Sequence, residues 1–230
     1  MKNYAIIAAG GSGSRLKIEG GKQLLKLMGR PVVAHSIQYF QDSDVVDEII
    51  IVTEKNSITA YEQLVLEYEF TKVRCITPSG ATRQQSIANG LAQLMDARYV
   101  FIHDGARPLM REEYISDIIG ALSIFDGAII AVPVTDTIKK ITTDGIVETT
   151  LNRSELVSVQ TPQGFRFDIL KKAYELEDKH LFTDDSSMVE KVGGTVKVID
   201  GSPENIKITY PPDVLIAERL MKSRERKELS

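Results

Sequence analysis

The sequence predicts an α/β fold, built as a mostly parallel twisted sheet with helices on both faces and a protruding β-arm. Three observations carry this expectation. Short apolar runs alternate with stretches of helical periodicity from Tyr4 to Val134. A glycine-rich turn follows the first apolar run directly. After Pro133 the rhythm breaks, and residues 134–160 become rich in Thr, Val, Asn and Asp. Strand–helix alternation implies parallel strands joined by crossover helices. Ligands on such sheets sit at the carboxyl ends of the strands.

Taken in order, the strand candidates are Tyr4–Ala9, Glu48–Thr53, Lys72–Thr77, Tyr99–Ile102 and Ala128–Val134. Each is a short apolar run of the kind a buried strand needs. Helical stretches lie between them, around Val32–Phe40, Ser57–Tyr68, Thr82–Met95 and Glu112–Phe125. The first places Val33, Ile37 and Phe40 on one helical face; the third does the same with Ile87, Leu91 and Leu94. Residues 134–160 are too polar to form a core of their own, and Thr143-Asp144-Gly145 reads as their turn. An extended arm or hairpin of this kind packs on another subunit. Helices are then expected over Arg166–Glu177 and Asp184–Lys191, strands over Thr195–Ile199 and Asn205–Thr209, and a last helix over Pro211–Lys222. The charged tail Ser223–Ser230 is expected to fray.

With 230 residues, the chain is long enough for one domain spanning 1–230, its arm at about 135–160. A net charge of −4 argues against a general nucleic-acid binder, so anions must be held by local cations. The single cysteine, Cys75, excludes an intrachain disulfide and a cysteine-based zinc cluster, and fits a reducing compartment. No apolar run approaches membrane-spanning length, and the N-terminus lacks a signal-peptide core. These features point to a cytoplasmic protein with no membrane partner.

The loop Ala9–Gln23 carries Gly10, Gly11 and Gly13 and places the cations Arg15 and Lys22 seven residues apart. Glycines let backbone N–H groups approach a phosphate, and the cations neutralise it. Leu16 stands where a dinucleotide fingerprint needs its third glycine, and Gln23 follows Gly21-Lys22 where a Walker loop needs Ser or Thr. Both motifs fail, leaving a triphosphate cradle or an ordinary surface turn. In Ser79–Ser86, Gly80 allows a tight turn and Thr82 is a natural N-cap. Backbone amides there and Ser86 read a base edge, or serve only to cap the helix. Asp104 falls at a strand's carboxyl end, where a carboxylate beside a triphosphate suits Mg²⁺. Arg107 faces phosphate, or pairs with Asp104 alone. His103 reads as a packed structural histidine. Thr137, Arg153, Thr161 and Lys207 are unremarkable individually; a lysine alternating with Ile206 and Ile208 is ordinarily a solvated one.

Together these stretches resemble one family from end to end. AAGGSGSRL, KQLLKLMGRPVVAHSI, RQQSIANGL, IHDGARP, AVPVTDTIKK, VQTPQGF, TDDSSMVEKVGG and NIKITYPPD are similar, in that order, to the bacterial 2-C-methyl-D-erythritol 4-phosphate cytidylyltransferases. The resemblance implies a Rossmann-like nucleotidyltransferase fold, a homodimer joined through the arm, and transfer of CMP from CTP with Mg²⁺ or another divalent cation. It implies Arg15 and Lys22 as transition-state stabilisers, and Arg153 and Lys207 as residues that position the substrate phosphate. Arg107, Thr137 and Thr161 would add to that phosphate site, with Thr137 and Arg153 supplied by the partner. CTP would lie against Ala9, Gly10, Gly11, Gly13, Ser14, Gly80, Ala81, Ser86, Asp104 and Ala106, with Asp104 the metal ligand. The spelling Ala9-Gly10-Gly11 also occurs in the sister ribitol-5-phosphate cytidylyltransferases, so a polyol phosphate is the alternative acceptor. A nicotinamide-dependent oxidoreductase is disfavoured by the missing glycine and the absence of an acidic residue near position 30. A silent nucleotide-binding module is disfavoured by the intact set of cations.

Overall fold

A computed structural model describes residues 1–11, 24–176 and 182–228, the side chains of Lys227 and Glu228 excepted. The loop cations Arg15 and Lys22, with Gly13 and Ser14, lie outside the described residues.

The first half follows the expected alternation. Strand β1 (Lys2–Ala8) leads to a two-rung hairpin, β2 (Lys26–Leu27) and β3 (Arg30–Pro31), and then to helix α1 (Val32–Asp42). Next come β4 (Glu48–Thr53), α2 (Ile58–Glu67), β5 (Val73–Pro78), α3 (Arg83–Leu91), β6 (Ala97–Asp104), α4 (Glu113–Leu122) and β7 (Gly127–Pro133). The polar stretch folds as a hairpin of β8 (Lys139–Ile141) and β9 (Val147–Thr150), a sheet of its own turning at Gly145, whose φ is +79°. The chain continues as β10 (Val157–Arg166), α5 (Phe167–Tyr174), α6 (Asp185–Lys191), β11 (Val196–Asp200) and α7 (Pro211–Glu228).

Seven strands form the main sheet in the order β11-β7-β10-β6-β1-β4-β5. All neighbours pair parallel except β10, which runs antiparallel to both β6 and β7. The pleat sends alternate side chains to opposite faces. Ala5, Ile7, Ile49, Ile51 and Phe101 meet α1, α2 and α4 on one face. Tyr4, Ile6, Ile50, Val52, Val100 and Ile102 meet α3, α5 and α6 on the other. Each such aliphatic or aromatic side chain contributes roughly 1.5–3 kcal/mol on burial.

Three sequence expectations need correction. Residues 157–160, assigned to the arm, begin β10, a central strand of the sheet. Its Pro162 and Gly164 argue against a strand in sequence. In the structure the register shifts between Val159 and Gln163, so Pro162 sits at an irregularity where no ladder bond is required. Gly164 is needed because a Cβ there would lie 2.2 Å from Ile118 Cγ2 of α4. Residues 205–209 do not form a strand; Ile208 N–H reaches only the Ala106 carbonyl, while the bonds before it close local turns. Finally, the last helix does not stop at Lys222 but runs to Glu228. Arg224 holds it there, bonding to Glu204 and to the Leu109 and Met110 carbonyls.

Candidate active site

Four segments converge at the carboxyl edge of the parallel strands: the turn after β1, the turn after β5, the end of β6 and the irregular part of β10. Close contact between the first two depends on glycine, since a Cβ on Gly10 would sit 2.4 Å from the Ser79 Cβ. The second turn is stitched to α3. Thr82 Oγ1 accepts from the Gln85 N–H at 3.0 Å, which is the N-cap the sequence suggests. Ser86 Oγ accepts from the Gly80 N–H at 3.0 Å and donates to the Thr82 carbonyl at 2.8 Å.

Asp104, the last residue of β6, is the hub. Lys207 Nζ lies 2.7 Å from its Oδ2 and Arg107 Nε 3.6 Å from the same oxygen. Arg83 Nε faces the other oxygen, Oδ1, at 4.0 Å. Burial pushes this carboxyl upward, but Lys207, Arg83 and Arg107 outweigh burial and hold it well below the usual carboxylate range. Lys207 reaches it because the neighbouring isoleucines are anchored elsewhere. Ile208 is buried with Leu27, Val32, Leu109 and Ala217, and Ile206 packs against the same cluster. The lysine between them therefore turns toward the site.

A second layer fixes the hub's backbone. His103 is fully buried against Phe40, and burial pushes it down to about 4, so it is neutral near pH 7. Its Nε2 faces the Arg107 carbonyl at 3.1 Å, which only accepts, so Nε2 carries the proton. Nδ1 is then an acceptor for the Thr161 hydroxyl at 3.2 Å, and that hydroxyl accepts the Asp104 N–H at 3.0 Å. Thr161 thus spends its hydroxyl on holding Asp104. Arg107 Nη1 donates to the Asn205 carbonyl at 2.7 Å, and Asn205 Nδ2 donates to the Gln160 side chain and the Thr161 carbonyl.

Two clefts meet at this hub. One, of about 280 Å³, is bounded by Gly10, Gly11, Gly80, Ala81, Ser86 and Ala106. The other, of about 620 Å³, is bounded by Arg107, Thr161, Gln163, Asp184 and Ser187, over an apolar floor that includes Val159. Asp104, Arg83 and Lys207 line both. At the junction itself three cations, Arg83, Arg107 and Lys207, face two carboxylates, Asp104 and the Asp185 behind Arg83, while Asp184 and Glu190 line the larger cleft. The junction therefore retains a positive surplus in a protein of net charge −4.

Of the candidate site residues singled out in the sequence, eight line the smaller cleft together: Gly10, Gly11, Gly80, Ala81, Ser86, Asp104, Ala106 and Lys207. Ala9 lies beneath it, buried, its N–H given to the Val52 carbonyl. Arg107, Thr161 and Lys207 line the larger cleft. Thr137 and Arg153 line neither; both are exposed at the base of the hairpin, where Arg153 Nη1 donates to the Thr135 carbonyl at 2.7 Å. Sequence reasoning passed over Arg83 and its partner Asp185, 2.6 Å away. One signal was available: Arg83 opens α3, where the helix dipole disfavours a cation, so it needs a compensating carboxylate.

Comparison with known proteins gives the family. A family model described as IspD, 2-C-methyl-D-erythritol 4-phosphate cytidylyltransferase, matches residues 4–223. The enzyme of that name from Dehalococcoides mccartyi strain CBDB1 is 44% identical over 219 residues, covering 95% of each chain. The one from Clostridium acetobutylicum is 43% identical over 223 residues, covering 96% of this chain and 97% of its own. The crystal structure of 4-diphosphocytidyl-2C-methyl-D-erythritol synthase from Anaerococcus prevotii superposes with a TM-score of 0.84 at 31% identity, covering 96% of both chains. With its fold and almost its full length matched, the chain belongs to the 2-C-methyl-D-erythritol 4-phosphate cytidylyltransferase family.

Proposed function

We propose that the protein transfers the CMP unit of CTP to 2-C-methyl-D-erythritol 4-phosphate and releases pyrophosphate, a step in isoprenoid precursor synthesis. The observation that carries this reading is the pair of clefts joined at Asp104, Arg83 and Lys207. A reaction between two phosphates needs two chambers with a shared, positively charged boundary. The glycine-walled cleft takes CTP and the larger one takes the acceptor. An oxygen of the acceptor phosphate attacks the α-phosphorus, and the bond from that phosphorus to the bridging oxygen of the β-phosphate breaks. The attacking oxygen's lone pair becomes the new P–O bond and the pair of the broken bond leaves on pyrophosphate, so no side-chain nucleophile is required. The protein's work is to neutralise and position the two anions.

In this reading Arg15 and Lys22 stabilise the charge that builds on the α-phosphate. Lys207 and Arg107 hold the acceptor phosphate, and Thr161 supports them by fixing Asp104. Thr137 and Arg153 are supplied by the arm of a second subunit, making the working form a homodimer. The chain acts as one transferase unit, with residues 135–156 as its arm, and works in the cytoplasm; among the described residues no helix is long and apolar enough to cross a membrane.

Asp104 suits a divalent cation only as a shared ligand. No group of three metal-ligating side chains occurs among the described residues. Oδ1 of Asp104 nevertheless has its nearest cation 4.0 Å away, beyond hydrogen-bonding reach. One carboxylate plus triphosphate oxygens is the ordinary way Mg²⁺ is held at such sites. Bound there, Mg²⁺ would offset triphosphate charge.

The test is pyrophosphate release from CTP with 2-C-methyl-D-erythritol 4-phosphate and, separately, with ribitol 5-phosphate. Turnover with the first acceptor and little with the second is expected. Preference for ribitol 5-phosphate would reassign the larger cleft to a polyol phosphate, and turnover with neither would end the reading.

A further inference from the structure

We infer that Arg83 is a positioning residue for the transfer: Asp185, itself held by Tyr174, anchors one edge of its guanidinium, and Arg83 in turn steadies the Oδ1 side of Asp104 electrostatically where the two clefts meet. The inference rests on the reading of the site as a cytidylyltransferase centre.

The clamp is built from three elements on one face of the sheet. Asp185 opens α6 and its side chain is fully buried. Both of its oxygens are used. Oδ2 accepts from Arg83 Nη2 at 2.6 Å, and Oδ1 accepts from the Tyr174 hydroxyl, at the end of α5, at 2.5 Å. Tyr174 remains a donor, because burial and the neighbouring Asp185 raise it well above its ordinary value. A fully buried carboxylate is a poor way to gain stability, since apolar side chains of similar volume serve as well or better. Its presence here makes sense as a fixed anchor for one cation.

That cation is placed where orientation matters. A guanidinium is planar and presents its donors in a rigid fork. Nη2 is held by Asp185, and Nε lies 4.0 Å from Asp104 Oδ1, a charge contact beyond hydrogen-bonding reach. Lys207 and Arg107 approach the other oxygen. Arg83 therefore opposes a rotation of the carboxylate that these two cations alone would allow. Arg83 is also a physical link between the chambers. It lines both clefts, and α6, which supplies its anchor, presents Ser186 and Ser187 to the larger one.

The experiment compares Arg83→Ala, Asp185→Asn and the double variant with the wild-type protein, assayed with CTP and 2-C-methyl-D-erythritol 4-phosphate. Arg83→Ala is expected to lower kcat about 10- to 10²-fold. KM for either substrate should change less than about threefold, because Arg83 acts through Asp104. Guanidinium ion, well below denaturing concentrations, should restore part of the lost kcat by occupying the vacated place beside Asp185. Tetramethylammonium should not, since it has no donors. Asp185→Asn should lose kcat in the same way, and the double variant should be no slower than Arg83→Ala within about twofold, because the two act as one unit. Wild-type kcat in folded Arg83→Ala, a loss that guanidinium does not relieve, or losses that multiply in the double variant would each overturn the inference. If Arg83→Ala fails to fold, Arg83→Lys carries the test. Its ammonium cannot span both carboxylates, so a folded Arg83→Lys with wild-type kcat overturns the inference too. Absence of turnover in the wild-type protein would instead sink the functional reading on which it rests.

Discussion

The hub around Asp104 and the hairpin arm treat their charges in opposite ways. At the hub every charged group is fixed by another element: Lys207 by its anchored isoleucines, Arg107 by the Asn205 carbonyl, Arg83 by a buried aspartate. In the arm, residues 139–155 are exposed along their whole length. Lys140 pairs with Glu148 in solvent, and Arg153 has a backbone carbonyl as its hydrogen-bond partner. Electrostatic catalysis requires charges that do not reorganise during the reaction. The hub meets that condition within one chain. The arm meets it only against a second surface, which is why we assign Thr137 and Arg153 to the partner's site.

The sharpest way to break this contrast is subunit mixing. Arg15→Ala removes a cation from the triphosphate loop and Arg153→Ala removes one from the arm. Each homodimer should lose about 10²–10³-fold in kcat. In a mixed dimer both lesions fall on one site and the other is intact. After exchange of equal amounts, about half the dimers are mixed and each has one working site, so activity should return to about a quarter of wild type. Recovery that stays at the level of the parents, with exchange confirmed by mass, would place Arg153 in its own chain's site.

A second comparison concerns pH. Burial pushes His103 down to about 4 and also lowers His35, while the arm contains no histidine. The unfolded chain takes up these protons near the ordinary value of about 6.5, but the folded protein resists, in the case of His103 until about 4. Stability is therefore fully present above the unfolded value and falls as pH drops through this window. For His103 alone the loss amounts to about 3 kcal/mol. The carboxyls of Asp104 and Asp184 are lowered, so their contribution is lost only below the normal carboxylate range and does not blur the window. Melting temperature against pH should show the slope, and His103→Gln should remove most of it. An unchanged slope would mean that His103 is already protonated in the folded protein.

These features were unequally legible in the sequence. The first half declared itself, because strands buried on both faces read as apolar runs and the intervening helices as a different period. Gly10, Gly80 and Asp104 could be placed because turns and strand ends leave local marks. Strand β10 left a misleading one. Its Pro162 and Gly164 look like a loop until Ile118 and the register shift explain them. Lys207 was marked only by alternation with two isoleucines, and that pattern is the same for a solvated lysine. Arg83 was hidden because its partner is Asp185, roughly a hundred residues later in the chain; pairings of that range follow from topology, which no local pattern encodes.

The smallest expected effect tests which face of the arm meets a partner. In the hairpin Lys140 pairs with Glu148 at 2.9 Å, and both side chains are about half exposed. Ile141 and Val147 lie directly opposite each other across the two strands, past a register shift at Lys140, and we assign them to the other face. A second subunit that covers the arm gains hydrophobic area only from the isoleucine and valine face. The ion pair then stays in water, screened by salt. Lys140→Ala should cost under about 0.5 kcal/mol, diminish further at high ionic strength, and leave kcat unchanged. Ile141→Ala, on the face we assign to the contact, should weaken the dimer at dilutions where Lys140→Ala does not. A loss above about 1.5 kcal/mol for Lys140→Ala would show that the pair is desolvated in the assembly, since breaking an exposed pair does not cost that much. The contrast between a fixed hub and a solvent-held arm would then have to be drawn at the dimer, with the charged face of the hairpin as the buried one.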